Sequence, residues 1–204
     1  MAALTHDAVV ALLRESGALL KGHFRLSSGL HSPYYLQCAR LLMEPERAAT
    51  VCAALKDRVE TAVPGLRPDC VVAPALGGVV LSYELARQFG VISLFVEREG
   101  GSFTLRRGFE LDAGARVLVA EDVITTGLST RECIAVVRER GAEVTAAACL
   151  IDRSGGKVDL GVPLVALATL DLPVFAPDQL PPELAAQPAV KPGSRPGTNP
   201  EPGA

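Results

Sequence analysis

Short, uninterrupted apolar runs alternate along most of the chain with segments that carry apolar residues at helical spacing. The runs have the length and the Val, Ile and Ala content of strands buried on both faces of a parallel sheet. The predicted strands cover residues 70–73, 91–96, 117–120, 144–151 and 164–170. This alternation predicts an α/β fold, in which a mostly parallel central sheet of about five strands is flanked by helices.

Capping and breaking residues set the ends of the predicted helices. Thr5 can cap the first helix, Pro45 suits the opening of the second, and Gly90 ends the third. Three of the predicted helices cover about residues 6–15, 46–59 and 129–140, and another follows the turn at residues 74–78 and ends at Gly90. Between the first two, residues 22–42 hold two strand-like pieces separated by Ser-Ser-Gly and Ser-Pro turns. This pattern predicts an antiparallel hairpin over the sheet, a small N-terminal hood, with Val174 and Phe175 closing beneath it.

The composition changes near Gln179 to Pro, Gly, Ala and small polar residues. Such a segment cannot build a hydrophobic core. We therefore predict one domain over residues 1–178 and a disordered tail over residues 179–204. On this interpretation, ending the chain near Asp178 leaves its activity and melting temperature almost unchanged.

The overall composition excludes several functional classes. The chain has 204 residues, of which 49% are hydrophobic and 21% charged, as in a globular protein with one well-buried domain. Its formal net charge of −3 gives no general attraction for nucleic acid or an anionic membrane, so neither is an expected partner. The five cysteines are well separated and mostly inside apolar runs, which favours reduced core thiols. With no leader segment and no apolar run of membrane-spanning length, we expect a cytoplasmic location.

The residues that point most directly to chemistry lie in the segment VLVAEDVITTGLST, residues 117–130. Its apolar run ends at the adjacent carboxylates Glu121 and Asp122, and residues 125–129 then turn into a helix. Gly127 relieves steric limits there, and the N–H groups of a helix N-terminus attract phosphate. A ribose 5-phosphate offers hydroxyls to the acids and a phosphate to the turn. The alternative is an ordinary strand-to-helix corner whose acids complement the helix dipole, although two acids against one buried strand argue against it.

This segment resembles the signature of the type I phosphoribosyltransferases, enzymes that use 5-phosphoribosyl 1-diphosphate (PRPP). The resemblance implies a PRPP site made of Glu121, Asp122, Val123, Ile124, Thr125, Thr126, Gly127, Leu128 and Ser129, with Asp122 also catalytic. It assigns the diphosphate to the backbone of Gly77 and Gly78, although close helix–sheet packing explains these glycines equally well. The implied cofactor is Mg²⁺, bound mainly through PRPP, with Glu121 or Asp122 as candidate ligands.

Within that family, the string FRLSSGLHSPYY, residues 24–35, resembles the hood of the orotate phosphoribosyltransferases. The resemblance assigns Ser28, Tyr34 and Tyr35 to the pyrimidine, although strand alternation alone explains the two tyrosines. Better-known members of this family carry Lys at the position of Ser27. Substrate contact at Ser27 would therefore be weaker or made by the backbone.

Arg153 strengthens the same resemblance. It follows a predicted strand at the edge where open α/β sheets bind ligands, and it resembles the arginine that binds the orotate carboxylate. Thr125 is assigned to orotate as well. The alternative for Arg153 is a loop arginine paired with Asp152. The implied reaction makes orotidine 5′-monophosphate and diphosphate from PRPP and orotate in pyrimidine (UMP) synthesis.

Residues 97–108 form a predicted glycine-tipped hairpin with three arginines, which we call the flap. Familiar orotate enzymes have a longer loop here with Lys and His, and neither occurs between Ile92 and Asp112. The resemblance implies a homodimer whose flap reaches the neighbouring site, so that Arg98, Arg106 or Arg107 assists catalysis, with Arg98 also contacting PRPP. Exposed hairpin charges more often serve solubility alone.

Two other functions stay open. One is a phosphoribosyltransferase for a purine or another base, which the hood string and Arg153 argue against. The other is a regulator that keeps the fold to sense PRPP without catalysis. Regulators of that kind need a nucleic-acid-binding surface, and the sequence shows no helix-turn-helix segment or basic stripe.

Overall fold

The predicted helices and strands all occur along the chain in the expected order, together with two short helices, Cys38–Leu42 and Pro182–Ala185, that the sequence did not predict. The computed structural model describes residues 4–26 and 28–192, so Ser27 and the predicted tail beyond Pro192 lie outside the described residues. The elements in chain order are α1 (His6–Glu15), β1 (Leu19–Arg25), β2 (His31–Leu36), α2 (Cys38–Leu42), α3 (Pro45–Ala62), β3 (Cys70–Pro74), α4 (Gly78–Phe89), β4 (Ile92–Glu99), β5 (Ser102–Leu105), β6 (Arg116–Ile124), α5 (Leu128–Glu139), β7 (Glu143–Asp152), β8 (Leu164–Thr169) and α6 (Pro182–Ala185).

The central sheet has the strand order β5-β4-β3-β6-β7-β8. The strands from β4 to β8 in that order run parallel, and only β5 pairs antiparallel, at one edge beside β4. Strand β6 lies in the middle, and its residues Val117 to Ala120 are fully buried. One apolar cluster packs α1, α3 and α4 on one face of the sheet, and a second packs α5 on the other. The predicted α/β class is confirmed.

The local signals for the helix ends are confirmed as well. The Thr5 hydroxyl accepts a hydrogen bond of 3.3 Å from the N–H of Ala8, which caps α1. Pro45 is the first residue of α3, and Gly90 follows α4 with a left-handed φ of 72°. Across the described part of the chain, none of the helices combines the length and the apolar character needed to cross a membrane.

The hood is a two-stranded antiparallel sheet of β1 and β2. His31 and Phe175 exchange two main-chain hydrogen bonds of 2.9 and 2.8 Å, which attach the hood to the chain that follows β8. The prediction that Val174 and Phe175 close beneath the hood is therefore confirmed at Phe175. The hood is held by long-range main-chain pairing as well as by its own hairpin.

The predicted start of the disordered tail, at residue 179, is wrong for its first part. Residues 179–192, which we call the strap, contain α6 and place Leu184 in the core with 5% of its surface exposed. Val190 donates to the His23 carbonyl and accepts from the Arg25 N–H, both at 2.8 Å. A Pro-rich composition cannot reveal this structure, because its stability comes from β1 rather than from the strap's own sequence.

Removing the strap should therefore destabilise the protein. A chain that ends at Asp178 loses the buried Leu184 side chain and the Val190 pairing, and regains the strap's conformational entropy. We expect a net loss of about 2 kcal/mol. In a chain of this size, that corresponds to a fall in melting temperature of roughly 4–8 °C.

The matched control is a chain that ends at Pro192 and keeps the strap. Its melting temperature in a calorimetric scan should equal that of the full chain. Equal melting temperatures for the chains ending at Asp178 and Pro192 would show that the strap does not contribute to stability.

Candidate active site

Three parallel strands, β3, β6 and β7, deliver their carboxyl ends to one edge of the sheet. Open α/β sheets bind their ligands at this edge. The glycine turn at Gly77 follows β3, the carboxylates Glu121 and Asp122 lie near the end of β6, and Arg153 follows β7. The topology therefore brings together the main candidates from the sequence.

The two carboxylates lie within β6 rather than after it, because the strand continues to Ile124. Successive side chains of a strand point to opposite faces, so Glu121 and Asp122 have different neighbours. Glu121 is 8% exposed, and its Oε2 accepts a hydrogen bond of 3.4 Å from the hydroxyl of Thr130 in α5. Asp122 lies against the backbone of Gly77 on the other side. The strand thus presents one acid to each of its neighbouring layers.

Burial dominates the electrostatics of this pair. Burial and, after it, the nearby charge of Asp122 raise the pKa of Glu121 to about 8, while the hydrogen bond from Thr130 acts in the opposite sense. Burial also raises the pKa of Asp122. Neither carboxylate forms an ion pair with any residue that the structure describes. No basic side chain among the described residues therefore offsets the charge that this desolvated pair carries when it is ionised.

Gly77 and Gly78 serve different packing needs. A Cβ on Gly77 would lie 2.8 Å from Oδ2 of Asp122, so only a glycine lets this backbone approach the carboxylate. A Cβ on Gly78 would lie 2.8 Å from the Cβ of Ala73 and 3.2 Å from the carbonyl oxygen of Ala120. Close packing of α4 on the sheet therefore explains Gly78, whereas Gly77 borders the site itself.

The predicted turn at residues 125–129, which we call the phosphate turn, has the expected form. Gly127 has a left-handed φ of 72°, and α5 begins at the next residue, Leu128. The Thr126 hydroxyl accepts a hydrogen bond of 3.4 Å from the Leu128 N–H. Because the first N–H groups of a helix have no partner inside it, the start of α5 offers donors to an anion. Thr125, Thr126 and Ser129 add hydroxyl groups along the same turn.

The loop after β7 is tied directly to the end of β6. The N–H of Arg153 donates to the carbonyl of Ile124 at 2.8 Å. The Asp152 carboxylate accepts from the N–H groups of Ser154 and Gly156, at 2.7 and 3.0 Å, and forms no ion pair with Arg153. The Arg153 Nε is buried without a hydrogen-bond partner among the described residues, and burial lowers the pKa of its guanidinium. The alternative of an Asp152–Arg153 pair is therefore wrong, and Arg153 keeps a donor for another group.

The hood contributes one of its candidate residues to the carboxylates. Burial raises the pKa of Tyr35, and the neighbouring Asp122 and Cys38 raise it as well. Tyr34 pairs with Lys21 across the hairpin and, as the neighbour of Tyr35, faces the other side of β2. Ser28 lies in the exposed turn, where its hydroxyl accepts from the Leu30 N–H at 3.4 Å. The structure thus brings Tyr35, but not Tyr34, to the Asp122 side.

The flap forms the predicted hairpin from β4 and β5, with Gly100 and Gly101 at its tip. Its three arginines all meet carboxylates of the same chain. Arg98 pairs with Glu132 of α5 and stacks on Phe103, with its guanidinium carbon 4.1 Å from the ring centre. The other pairs are Arg106 with Glu99 at 3.3 Å and Arg107 with Glu97 at 2.9 Å. In this conformation the flap contacts α5 through the pair of Arg98 with Glu132.

Sequence reasoning missed the role of Thr130. Thr130 is 1% exposed, and its hydroxyl meets Glu121 across the space between α5 and β6. A threonine in the first turn of a helix has many ordinary explanations. Only the packing of the helix on the strand shows that this hydroxyl faces the buried acid.

The raised pKa of Glu121 predicts a specific pH dependence of stability. Because folding favours the protonated acid, its contribution is fully present below the ordinary pKa of 4.5 and is lost as the pH rises through about 8. Glu121→Gln cannot titrate and should keep this stability. The gain in melting temperature of Glu121→Gln over the natural protein should therefore grow between about pH 5 and pH 8.5.

Glu139→Gln is the control, since Glu139 is exposed at the end of α5. Its melting temperature should follow that of the natural protein at every pH in thermal scans without ligand. A constant difference between Glu121→Gln and the natural protein across this range would contradict the assigned burial of a titrating acid.

Comparison with known proteins agrees with this geometry. Residues 38–161 match the family described as the phosphoribosyl transferase domain. The chain is 57% identical over 176 residues to orotate phosphoribosyltransferase 2 of Mesorhizobium japonicum, a match that covers 86% of this chain and 91% of the relative. It is 56% identical over 179 residues to the orotate phosphoribosyltransferase of Maricaulis maris, covering 88% and 92%. The solved orotate phosphoribosyltransferase of Aeropyrum pernix has a TM-score of 0.68 at 31% identity, over 79% of this chain and 93% of that chain.

Proposed function

The chain belongs to the phosphoribosyl transferase family, and from that premise we propose that it transfers the phosphoribosyl group of PRPP to orotate. The products are orotidine 5′-monophosphate and diphosphate. The reaction is a step of pyrimidine (UMP) synthesis. The observation that carries the choice of base is Arg153 at the edge of the sheet, whose Nε is buried and has no hydrogen-bond partner in residues 4–26 and 28–192. Orotate carries a carboxylate for that guanidinium, and a purine does not.

The reaction displaces diphosphate from the anomeric carbon of ribose by a ring nitrogen of orotate. Its transition state has cationic character at the sugar, so the protein need not supply a nucleophile. Catalysis consists of aligning the two substrates and stabilising the charges that develop. Glu121 and Asp122 bind the ribose hydroxyls. The cationic sugar favours the ionised forms of these buried acids, and their negative charge in turn stabilises the sugar.

The remaining parts of PRPP are assigned to two backbone turns. The 5-phosphate binds the phosphate turn through Thr125, Thr126, Gly127 and Ser129, with Val123, Ile124 and Leu128 contributing main chain. The left-handed φ of Gly127 and the start of α5 support this assignment. The diphosphate lies along Gly77 and Gly78, and the contact of Gly77 with Asp122 places that turn next to the ribose acids.

Magnesium fits the same carboxylates. Among the described residues no three His, Cys, Asp or Glu side chains come together as a metal site. Mg²⁺ in such enzymes is commonly held by one or two carboxylates and by substrate phosphate oxygens. Glu121 or Asp122 would supply the protein ligand, since both are buried and neither pairs with a basic side chain of the described segments. When bound there, Mg²⁺ would supply positive charge to offset the negative charge of the diphosphate.

Orotate lies between Arg153 and the hood. The Arg153 guanidinium binds the carboxylate, Thr125 borders the ring, and Tyr35 covers it from the hood. The proximity of Tyr35 to Asp122 supports this position, because the base must lie next to the ribose. The roles of Ser28 and Tyr34 have less support, since Ser28 lies in an exposed turn and Tyr34 faces the other side of β2.

A homodimer completes the proposal. Val80 and Tyr83 lie on α4 and are 50% and 69% exposed, and Leu76, in the turn just before the helix, is 85% exposed. Exposed apolar side chains grouped in this way are typical of a protein interface. In the dimer Arg98, Arg106 or Arg107 assists the departure of diphosphate in the neighbouring site. We further propose a cytoplasmic location, and the five buried free thiols suit its reducing conditions.

The direct test of the activity is the loss of orotate absorbance when PRPP and Mg²⁺ are added. A panel of bases under the same conditions tests specificity, and turnover of orotate but not of adenine or guanine is the expected result. Binding of PRPP without turnover of any base would favour a PRPP-sensing regulator.

Replacing Arg153 should affect one substrate only. Arg153→Ala removes a charge-assisted contact of about 1.5–3 kcal/mol, so the orotate KM should rise at least about tenfold. The affinity for PRPP should stay the same, because the guanidinium is assigned to the carboxylate of orotate and to no part of PRPP. Steady-state kinetics and calorimetry with PRPP measure the two effects separately.

Arg140→Ala is the matched control, since Arg140 is exposed at the far end of α5. It should leave both constants unchanged. If Arg153→Ala lowered the affinity for PRPP and left the orotate KM intact, Arg153 would belong to the other substrate.

The flap proposal predicts complementation between two inactive variants. One variant carries Glu121→Gln and Asp122→Asn, and the other carries Ala in place of Arg98, Arg106 and Arg107. Mixing them should restore activity, because one site in each heterodimer then has both intact acids and an intact flap. Differently tagged subunits establish that the chains exchange. Proven exchange with no return of activity would show that the flap serves its own subunit or has no catalytic part.

A further inference from the structure

Arg131, near the start of α5, forms a hydrogen bond with the main chain of the phosphate turn. Its Nη2 donates to the carbonyl oxygen of Thr126 at 2.7 Å, and its Nη1 donates to that of Asp159 at 3.1 Å. A Cβ placed on Gly127 would lie 3.3 Å from the same Nη1. The guanidinium thus lies over the Thr126–Gly127 peptide and joins it to the segment that connects β7 and β8.

The bond to Thr126 fixes the direction of the next N–H group. In a planar trans peptide, the carbonyl of one residue and the N–H of the next point in opposite directions. Because the Thr126 carbonyl points at Arg131, the Gly127 N–H points away from Arg131. A turn that includes a left-handed glycine could otherwise rotate this peptide and present an oxygen to the anion.

The connecting segment, residues 153–163, supports this arrangement from the other side. A Cβ on Gly127 would lie 2.6 Å from Cγ1 of Val158 and 3.1 Å from Cδ2 of Leu160, so the segment packs directly on the turn. The Asp159 carboxylate accepts from the Gly161 N–H at 2.8 Å, which orders the backbone whose carbonyl Arg131 binds. Arg131 therefore spans two backbone segments that are themselves packed together.

We propose that Arg131 is a positioning residue, which orients the phosphate turn so that its N–H groups meet the 5-phosphate of PRPP. This inference rests on the proposed function of that turn. Arg131 acts through the Thr126–Gly127 peptide rather than by touching the phosphate, since both of its terminal nitrogens donate to carbonyl oxygens. These two hydrogen bonds, which we call the clamp, connect the phosphate turn to the segment that begins with Arg153.

Two variants distinguish the effect of the two hydrogen bonds from the effect of the positive charge of Arg131. Arg131→Met removes both hydrogen bonds and keeps much of the side-chain length. Arg131→Lys keeps the positive charge, but one ammonium group cannot reproduce the planar fork that spans the two carbonyls. PRPP affinity is measured by calorimetry with Mg²⁺, independently of turnover, together with the PRPP KM, kcat and melting temperature.

Arg138→Met is the matched control. Arg138 lies two turns further along the same helix and donates to the Gly161 carbonyl at 3.4 Å, so it contacts the same connecting segment without contacting the phosphate turn. This variant should keep the PRPP affinity of the natural protein.

Arg131→Met should weaken PRPP binding and raise the PRPP KM about tenfold, the effect of one lost charge-assisted hydrogen bond. Its kcat at saturating PRPP should stay within about twofold, because the clamp acts on the bound phosphate in the ground and transition states alike. Arg131→Lys should show most of the same loss of PRPP affinity. All three variants should keep a similar melting temperature.

Other results would overturn the proposal. Full PRPP affinity in Arg131→Lys would show that charge suffices, and full affinity in Arg131→Met would remove the role altogether. An equal loss in Arg138→Met would attribute the effect to the connecting segment as a whole. If the natural protein itself bound no PRPP, the proposed function would fail, and this inference would fail with it.

Discussion

The burial of two adjacent carboxylates at the carboxyl end of β6 is the constraint on which the site depends. Taking an ionised carboxylate out of water costs several kcal/mol unless a cation or hydrogen bonds compensate. Here the hydrogen bond from Thr130 compensates in part, and burial raises the pKa of both Glu121 and Asp122. The acids cannot move into solvent, because β6 is held between β3 and β7. A bound cation or a cationic sugar therefore gains more from this pair than it would from exposed acids.

Parallel topology and two glycines place the other functional groups around that pair. Strands β3, β6 and β7 end at the same edge, so the turns that follow them converge without any single long loop. Gly77 lets one turn approach Asp122, and Gly127 lets another pack beneath Val158. The bond from the Arg153 N–H to the Ile124 carbonyl fixes the third. The distances within the site are thus set by main chain, which is stiffer than side chains on mobile loops.

The sequence was sufficient wherever structure depends on neighbours in the chain. Thr5, Pro45 and Gly90 act within one helical turn, and the buried run of β6 needs only its own apolar residues. The failures involve specific contacts that neither composition nor periodicity signals. The strap folds because Val190 pairs with β1, and Asp152 turned out to hold its own loop instead of Arg153. Arg131 belongs with these cases, since an exposed arginine on a helix has no local signal for the carbonyls that it binds. The outline of the site was therefore predictable, and its supporting contacts were not.

The ion pair between Arg98 and Glu132 could either lock the flap against α5 or hold it there only weakly, and the size of its free energy decides which. Arg98 pairs with Glu132 of α5, and their side chains are 44% and 36% exposed. Ion pairs exposed to this degree contribute about 0.2–1 kcal/mol. A charge-assisted contact with a phosphate group contributes about 1.5–3 kcal/mol. The pair with Glu132 can therefore keep the flap near α5 without preventing Arg98 from moving to an incoming diphosphate. A locked flap would require a buried pair, and the flap's arginines are all partly exposed where they meet their glutamates.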